Sequence, residues 1–192
     1  MEILVCARRV PDTSENEIEL NSAGNDIERD DLVYSVNEAD NYAVEEALQI
    51  VAKQGGNVTV VTVGNEDDEE ILRREMAMGA NQAALISDDA FQGSDGKGIA
   101  TILKAFVQKG KYDLILTGVQ ADDGGAQVGG MLAAMLDYPF AALVNSGAGS
   151  FLLATAKQPS SNTATTTPAT LMCSGLTGGE NRNTTLWEPG CK

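Results

Sequence analysis

The sequence predicts an α/β fold: a doubly wound parallel sheet of Rossmann-like type. Short apolar, β-branched runs alternate with segments of helical period through the first 145 residues. Strands joined by helical crossovers run parallel, in a sheet covered on both faces. Several strands also end in glycine-bearing turns, and a doubly wound sheet binds its ligands beyond the carboxyl ends of its strands.

Ile3–Cys6 is a short apolar run near the start and reads as a buried first strand. Ala7–Asn37 is polar, with turn signals at Pro11-Asp12 and Ala23-Gly24-Asn25. Asn37-Glu38-Ala39-Asp40 reads as a helix start, with Asn37 as the cap and Asp40 completing a box-like arrangement. Val44, Ala47, Leu48 and Val51 share one helical face, and Gly55-Gly56 ends that helix. Val58–Val63 is a β-branched strand closed by Gly64. Asp67–Met78 is a second helix whose acidic first turn suits the helix dipole. Ala83–Ser87 is a weaker strand. Ser94-Asp95 opens a third helix, with a face of Ile99, Ile102, Leu103 and Phe106. Leu114–Thr117 is a strand, Val128, Met131, Leu132 and Met135 form the next helical face, and Ala141–Val144 reads as a further strand. Residues 1–145 are therefore expected to form the α/β domain.

After about residue 145 the composition changes. Between Asp137 and Glu180 the only charged residue is Lys157, and Ser, Thr, Gly, Asn and Ala dominate. Residues 146–192 are expected to form an irregular C-terminal arm, laid on a partner or free.

Bulk properties narrow the function. At 192 residues, 43% hydrophobic, the chain suits one domain or one domain with an extension. A net charge of −15 argues against nucleic acid and anionic membranes as partners. There is no histidine, which excludes histidine-based catalysis. No apolar run approaches the ~20 residues of a membrane span. The opening MEILVCARRV lacks the order of a secretory signal, and Cys6, Cys173 and Cys191 are few and widely spaced, so a cytoplasmic chain with free thiols is expected.

The loop at 118–130 is the best candidate for binding chemistry. Gly124, Gly125 and Ala126 allow close backbone approach. A helix starting near Gln127 offers free N–H groups and a positive dipole end to a phosphate. The loop lacks the Gly-Lys-Ser/Thr end of a P-loop and the glycine spacing of the dinucleotide fingerprint. Spacing alone leaves two readings open, a nucleotide site and a structural strand-to-helix turn.

Cys6-Ala7-Arg8-Arg9 and Val63-Gly64-Asn65 end the first two strands at the same sheet edge. Arg8 or Arg9 could meet a phosphate or a flavin there; as ordinary loop charges they would simply be solvated. The acidic runs Glu66–Glu70 and Asp88-Asp89 read as solvated helix starts rather than a metal site, and Cys6 as core rather than nucleophile. No nucleophile is paired with a base, so no catalytic constellation is expected.

Several of these stretches, in order, carry a family resemblance. MEILVCARRVPDT, VNEADNYAVEEAL, VTVVTVGNEDDEEILRREMAMGANQAALISD, GSD and YDLILTGVQADDGGAQVGGMLAAMLDYP resemble blocks of the electron-transfer flavoprotein beta subunit, including the FixA-type subunits. The similarity is collinear over about residues 1–145. It implies an electron-carrier subunit, not a complete enzyme, paired with an alpha subunit that holds a redox FAD. It implies that this subunit binds AMP in a crevice, or a second FAD that accepts hydride from NADH in a bifurcating branch. It also implies redox partners of the acyl-CoA dehydrogenase type.

Carried over by position, the nucleotide site uses Ala7, the helix start from Asn37 to Asp40, Val63, and Asp123, Gly124, Gly125, Ala126, Gln127 and Val128. Arg8 is counted with them, and Arg8 and Arg9, just beyond the first strand, could supply the cation that an anionic reduced flavin needs. Two stretches depart from the family pattern. The loop between Gln120 and Gly129 is one residue shorter. FLLATAKQPSSNTATTTPATLMCSGL keeps Lys157 and Pro168-Ala169-Thr170-Leu171 but lacks the acidic-glycine signature. A different reading of the same residues is a stand-alone adenine-nucleotide-binding α/β protein of sensor or stress type; a purely structural role is a third.

Overall fold

The computed structural model of the protein describes residues 1–121, 125–145 and 151–156. Its centre is a six-stranded sheet in the order β5-β4-β1-β6-β8-β7. The strands are β1 (Glu2–Cys6), β4 (Asn57–Val63), β5 (Gln82–Ile86), β6 (Leu114–Gly118), β7 (Phe140–Asn145) and β8 (Phe151–Ala156). β5, β4, β1 and β6 pair in parallel, while β8 pairs antiparallel with both β6 and β7. Helices α1 (Glu38–Gln54), α2 (Glu69–Met78), α3 (Gly96–Val107) and α4 (Val128–Leu136) make the crossovers.

Alternation along each strand sorts the core into two layers. Ile3 and Val5, Val58 and Val60, and Leu114 and Leu116 face α1 and α2, packing on Ala43, Val44, Ala47, Ile50 and Leu72. Leu4, Val61 and Ile115 face the other way, onto Ala100, Leu103 and Val107 of α3 and Leu132 of α4. The helices thus change face where the chain leaves β5 and returns to the far side of β1. That reversal makes the gap between the carboxyl ends of β1 and β6 the switch point, where doubly wound sheets take ligands.

The strand and helix expectations for 1–145 match these elements to within a few residues, and the α/β architecture is as expected. Three local readings differ. The polar stretch after β1 contains a small antiparallel pair, β2 (Arg9–Pro11) with β3 (Tyr34–Val36). Strands of three residues in a polar segment leave too little periodicity to read. The second helix begins with a 3-10 turn, Glu66–Asp68, where Asn65 Oδ1 accepts from Asp67 N–H and Asp68 Oδ2 accepts from Asn65 N–H. Finally, β8 lies beyond residue 145, inside the stretch expected to be an irregular arm. Its backbone pairs with β6 from Leu114↔Ala156 to Gly118↔Leu152. Lack of charge was read as lack of structure, yet FLLATA is also an apolar run suited to the middle of a sheet. The remainder of that arm, 157–192, lies outside the described residues.

Glu75 on α2 is fully buried, and neither carboxyl oxygen has a hydrogen-bond partner among the described residues. Burial pushes it from 4.5 up to about 7; Arg74 pulls the other way and Asp40 adds to the rise. The folded chain therefore keeps this proton up to about pH 7, while the unfolded chain releases it near 4.5. Between those values the unfolded state binds fewer protons, so the stability contributed by Glu75 falls as pH rises. Glu75→Met is expected to raise stability by about 1–3 kcal/mol at pH 8 and by less at pH 5. Urea unfolding at both pH values checks this; an unchanged or lower midpoint at pH 8 contradicts it.

Candidate functional site

At the switch point lies a cleft of about 470 Å³, within the ~300–1,000 Å³ typical of ligand pockets. Its walls are the carboxyl ends of β1, β4 and β6, the start of α1, and the starts of α3 and α4. Ala7, Arg8, Asn37, Asp40, Val63, Gly125, Gln127 and Val128 all line it. Eight of the residues singled out from sequence, drawn from four separate segments, thus meet at one place. Ala126 does not line the cleft, and Asp123 and Gly124 lie outside the described residues.

The backbone fixes most of these positions. Ala7 continues β1, and its N–H donates to Val61 O at 2.9 Å. Val63 ends β4. Gln127 caps α4 by position, without a side-chain cap bond, and its N–H donates to Gly125 O at 2.8 Å. The first N–H groups of a helix have no intrahelical acceptor and carry the positive end of its dipole. Val128 and Gly129 thus present donors and positive potential at the cleft wall.

Asn37 and Asp40 do not form the capping pair read from the sequence. Asn37 occupies the cap position of α1 but makes no side-chain cap bond. Its Nδ2–H donates instead to Gln120 O at 3.1 Å, tying the start of α1 to the loop after β6. Asp40 is buried, and its carboxylate reaches away from its own helix. Oδ2 accepts from Arg8 N–H at 3.1 Å, and Oδ1 accepts from Gly118 N–H at 2.8 Å. One carboxylate therefore joins the ends of β1 and β6 across the switch point. A local Asn-x-x-Asp pattern cannot reveal acceptors for donors 32 and 78 residues away. Burial pushes Asp40 from 3.8 up to about 6, and hydrogen bonds from Asn37, Gly118 and Arg8 offset only part of that rise.

Gly118 makes this join possible. A Cβ there would collide with Asp40 Oδ1 and with Ala39.

Arg8 and Arg9, equivalent in sequence, differ in structure. Arg9 is held by Asp68 at 2.8 Å and Asp67 at 3.7 Å, with its guanidinium 4.3 Å from the centroid of the Tyr34 ring. It fastens the β2–β3 hairpin to the turn after β4. Arg8 has an exposed side chain at the mouth of the cleft. Asp68, read as part of a solvated acidic run, is instead buried. Cys6 lies at the β1 end, where burial and then the charge of Asp40 push its thiol upward, as expected of an inert core cysteine.

Gly118, the first residue of the loop expected to bind, lines the cleft too, and so do residues that the sequence reading did not assign to the site: Ser94, Asp95 and Gly96 at the start of α3, and Thr117 at the end of β6. Ser94-Asp95 was legible as a helix start, and Asp95 does cap it, accepting from Gly98 N–H at 2.7 Å. Its place beside α4 rests on helix packing, which spacing does not encode.

Among the described residues, no helix is long and apolar enough to cross a membrane.

Comparison with known proteins fits this geometry. Residues 25–173 match the model of the electron transfer flavoprotein domain. The chain is similar to the electron transfer flavoprotein subunit beta of Thermoanaerobacterium thermosaccharolyticum, 41% identical over 140 residues, covering 72% of this chain and 53% of that protein. It is similar to protein FixA of Azotobacter vinelandii, 41% identical over 143 residues, 72% of this chain and 50% of that one. It is also similar to the caffeyl-CoA reductase-Etf complex subunit CarD of Acetobacterium woodii, 42% identical over 142 residues, with 72% and 53% covered. The chain spans about half the length of these curated relatives. With its doubly wound sheet, its switch-point cleft and these matches, the chain belongs to the electron transfer flavoprotein family, on the side of its beta subunits.

Proposed function

We propose that this chain acts as an electron-transfer flavoprotein beta subunit, an electron carrier rather than a complete enzyme. It binds an adenine nucleotide, as AMP or as part of a second FAD, in the cleft between β1 and β6. It pairs with an alpha subunit that holds the redox FAD, and the pair passes electrons from dehydrogenases, the acyl-CoA type among them, to a downstream acceptor. The flavin carries the redox chemistry, and this chain supplies binding and orientation.

The observation that carries the reading is the convergence of Ala7, Val63, Gly118 and the α4 start on one cleft, with Asp40 fixing the spacing of two of the strand ends. Ala7 and Val63 offer an apolar ledge with adjacent backbone polar groups, suited to an adenine ring. The α4 start offers N–H groups and dipole to a phosphate. Gly125 keeps the approach to that helix open. Asp123 and Gly124 remain assigned to the phosphate loop by resemblance alone. Asp123 suits a ribose hydroxyl better than a phosphate, since like charges repel. Arg8, exposed and lining the cleft, supports a contact with a phosphate or a reduced flavin.

Co-expression with an electron-transfer flavoprotein alpha subunit tests this. The expected result is a heterodimer with flavin absorbance that releases adenine nucleotide on denaturation. One FAD with one AMP supports the AMP form; two FAD with NADH-dependent reduction supports the bifurcating form. Nucleotide bound without any pairing favours the stand-alone reading, and a chain with neither partner nor nucleotide refutes the proposal.

A further inference from the structure

The polar excursion between β2 and β3, residues 12–33, contains no buried residue, yet it is folded. At its base Asp12 N–H donates to Val33 O at 2.9 Å. The Asn16 side chain donates to Val33 O at 2.7 Å and accepts from Val33 N–H at 2.8 Å. Farther out the chain doubles back as an outer hairpin. Leu20 bridges Ile27 in antiparallel fashion, flanked by Asn21 N–H to Asp26 O at 2.8 Å and Glu28 N–H to Glu19 O at 2.9 Å.

Alternation gives this outer hairpin two faces. Ile18 and Leu20, with Ile27 across from Leu20, stand on one. Glu17, Glu19 and Glu28 stand on the other. The apolar face is open: Ile18 is 42% and Leu20 72% exposed, and Val33 at the base is 51% exposed. A two-stranded hairpin with nothing packed on its apolar face is marginal in water. Contiguous apolar side chains rimmed by charge mark a protein contact surface.

The charge around that face decides what can cover it. Residues 12–33 carry eight carboxylates and one arginine, and that arginine, Arg29, is paired with Asp26 at 3.1 Å. A second copy of the chain, at net charge −15, would set like charge against like. Nucleic acid and anionic membranes are repelled for the same reason. The surface that fits is an apolar groove bordered by lysine and arginine. An apolar face that lies open in the isolated chain suits a standing partner better than a passing one, since permanent interfaces are the more hydrophobic.

We propose that the outer hairpin is a docking element for the alpha subunit. Ile18, Leu20 and Ile27 enter an apolar groove on that subunit, and lysine and arginine side chains on its rim meet Glu17, Glu19 and Glu28. This rests on the pairing proposed above and names the surface that pairs.

Sedimentation velocity with the electron-transfer flavoprotein alpha subunit tests the assignment, using the parent, Leu20→Asp and the triple variant Glu17→Lys, Glu19→Lys, Glu28→Lys. Leu20→Asp is expected to weaken pairing at least tenfold, as for a central contact residue. The triple variant is expected to weaken it as well, and most at low salt, where charge attraction is least screened. Both variants alone should melt within about 2 °C of the parent, because the altered side chains are exposed surface positions. Hydrogen exchange at the amides of residues 18–28 is expected to slow in the heterodimer relative to the isolated chain. Pairing as tight as the parent's in both variants, with exchange unchanged, overturns the docking surface while the pairing reading stands. A large loss of melting temperature in Leu20→Asp alone shows that the hairpin packs on its own chain and overturns it too, as does protection of these amides by self-association of the parent. If the alpha subunit does not pair with the parent at all, the pairing reading falls and the docking surface with it.

Discussion

Asp40→Ala is expected to lower the stability of the chain by about 2–4 kcal/mol at pH 7, the cost of stranding donors that a buried charge had satisfied. The argument rests on geometry. Asp40 is 5% exposed, and its two oxygens accept from Arg8 N–H on one strand end and Gly118 N–H on the neighbouring one. Alanine leaves both donors, at the partly buried junction of β1, β6 and α1, without the carboxylate that satisfied them. The same loss frees the spacing of the strand ends, so nucleotide affinity should fall with stability.

Asp40→Asn should be milder at neutral pH. Its amide keeps one acceptor and avoids the cost of burying an ionised group, although its NH₂ must face one of the two donors. The sign of the pH dependence follows from the raised value. Asp40 is held near 6 against an ordinary 3.8, so its contribution to stability falls as pH rises through that interval. Asp40→Asn should flatten this part of the profile. Chemical unfolding of the three proteins at pH 5 and pH 7.5 checks it; an alanine variant as stable as the parent at pH 7.5 contradicts it.

Gly125→Val is expected to act the opposite way, leaving the fold and removing the ligand. Among the described residues, the nearest atoms to a Cβ at Gly125 belong to the flexible Gln127 side chain, with Nε2 at 3.3 Å. Gly125 is exposed, so stability should change by no more than about 0.5 kcal/mol, as for an ordinary surface substitution. The branched side chain would nevertheless stand between solvent and the first N–H groups of α4, where a phosphate must approach. Nucleotide affinity should fall at least tenfold, about 1.4 kcal/mol. Equal nucleotide content in variant and parent, with both folded, sinks the phosphate assignment at this loop.

The contrast between these two substitutions shows what a sequence read alone discloses here. The order of strands and helices was legible because β-branched runs such as Val58–Val63 and helical faces such as that of Val44 and Ala47 repeat locally. The sheet edge expected to take a ligand followed from the parallel topology, so Ala7, Val63 and Gln127 were expected near one another, and they line one cleft. Asp40 was misread because its pattern with Asn37 has a local explanation and its partners lie far along the chain. β8 was missed because composition outweighed a six-residue apolar run.

Backbone amide NMR of the isotopically labelled chain, titrated with AMP, tests the central claim most directly. Binding in the switch-point cleft predicts the largest shifts at the amides of Ala7, Val63, Gly118, Val128 and Gly129, with little change on the far edge of the sheet at β5. Saturating AMP that leaves those amides unmoved, or that moves a different surface instead, would contradict the account.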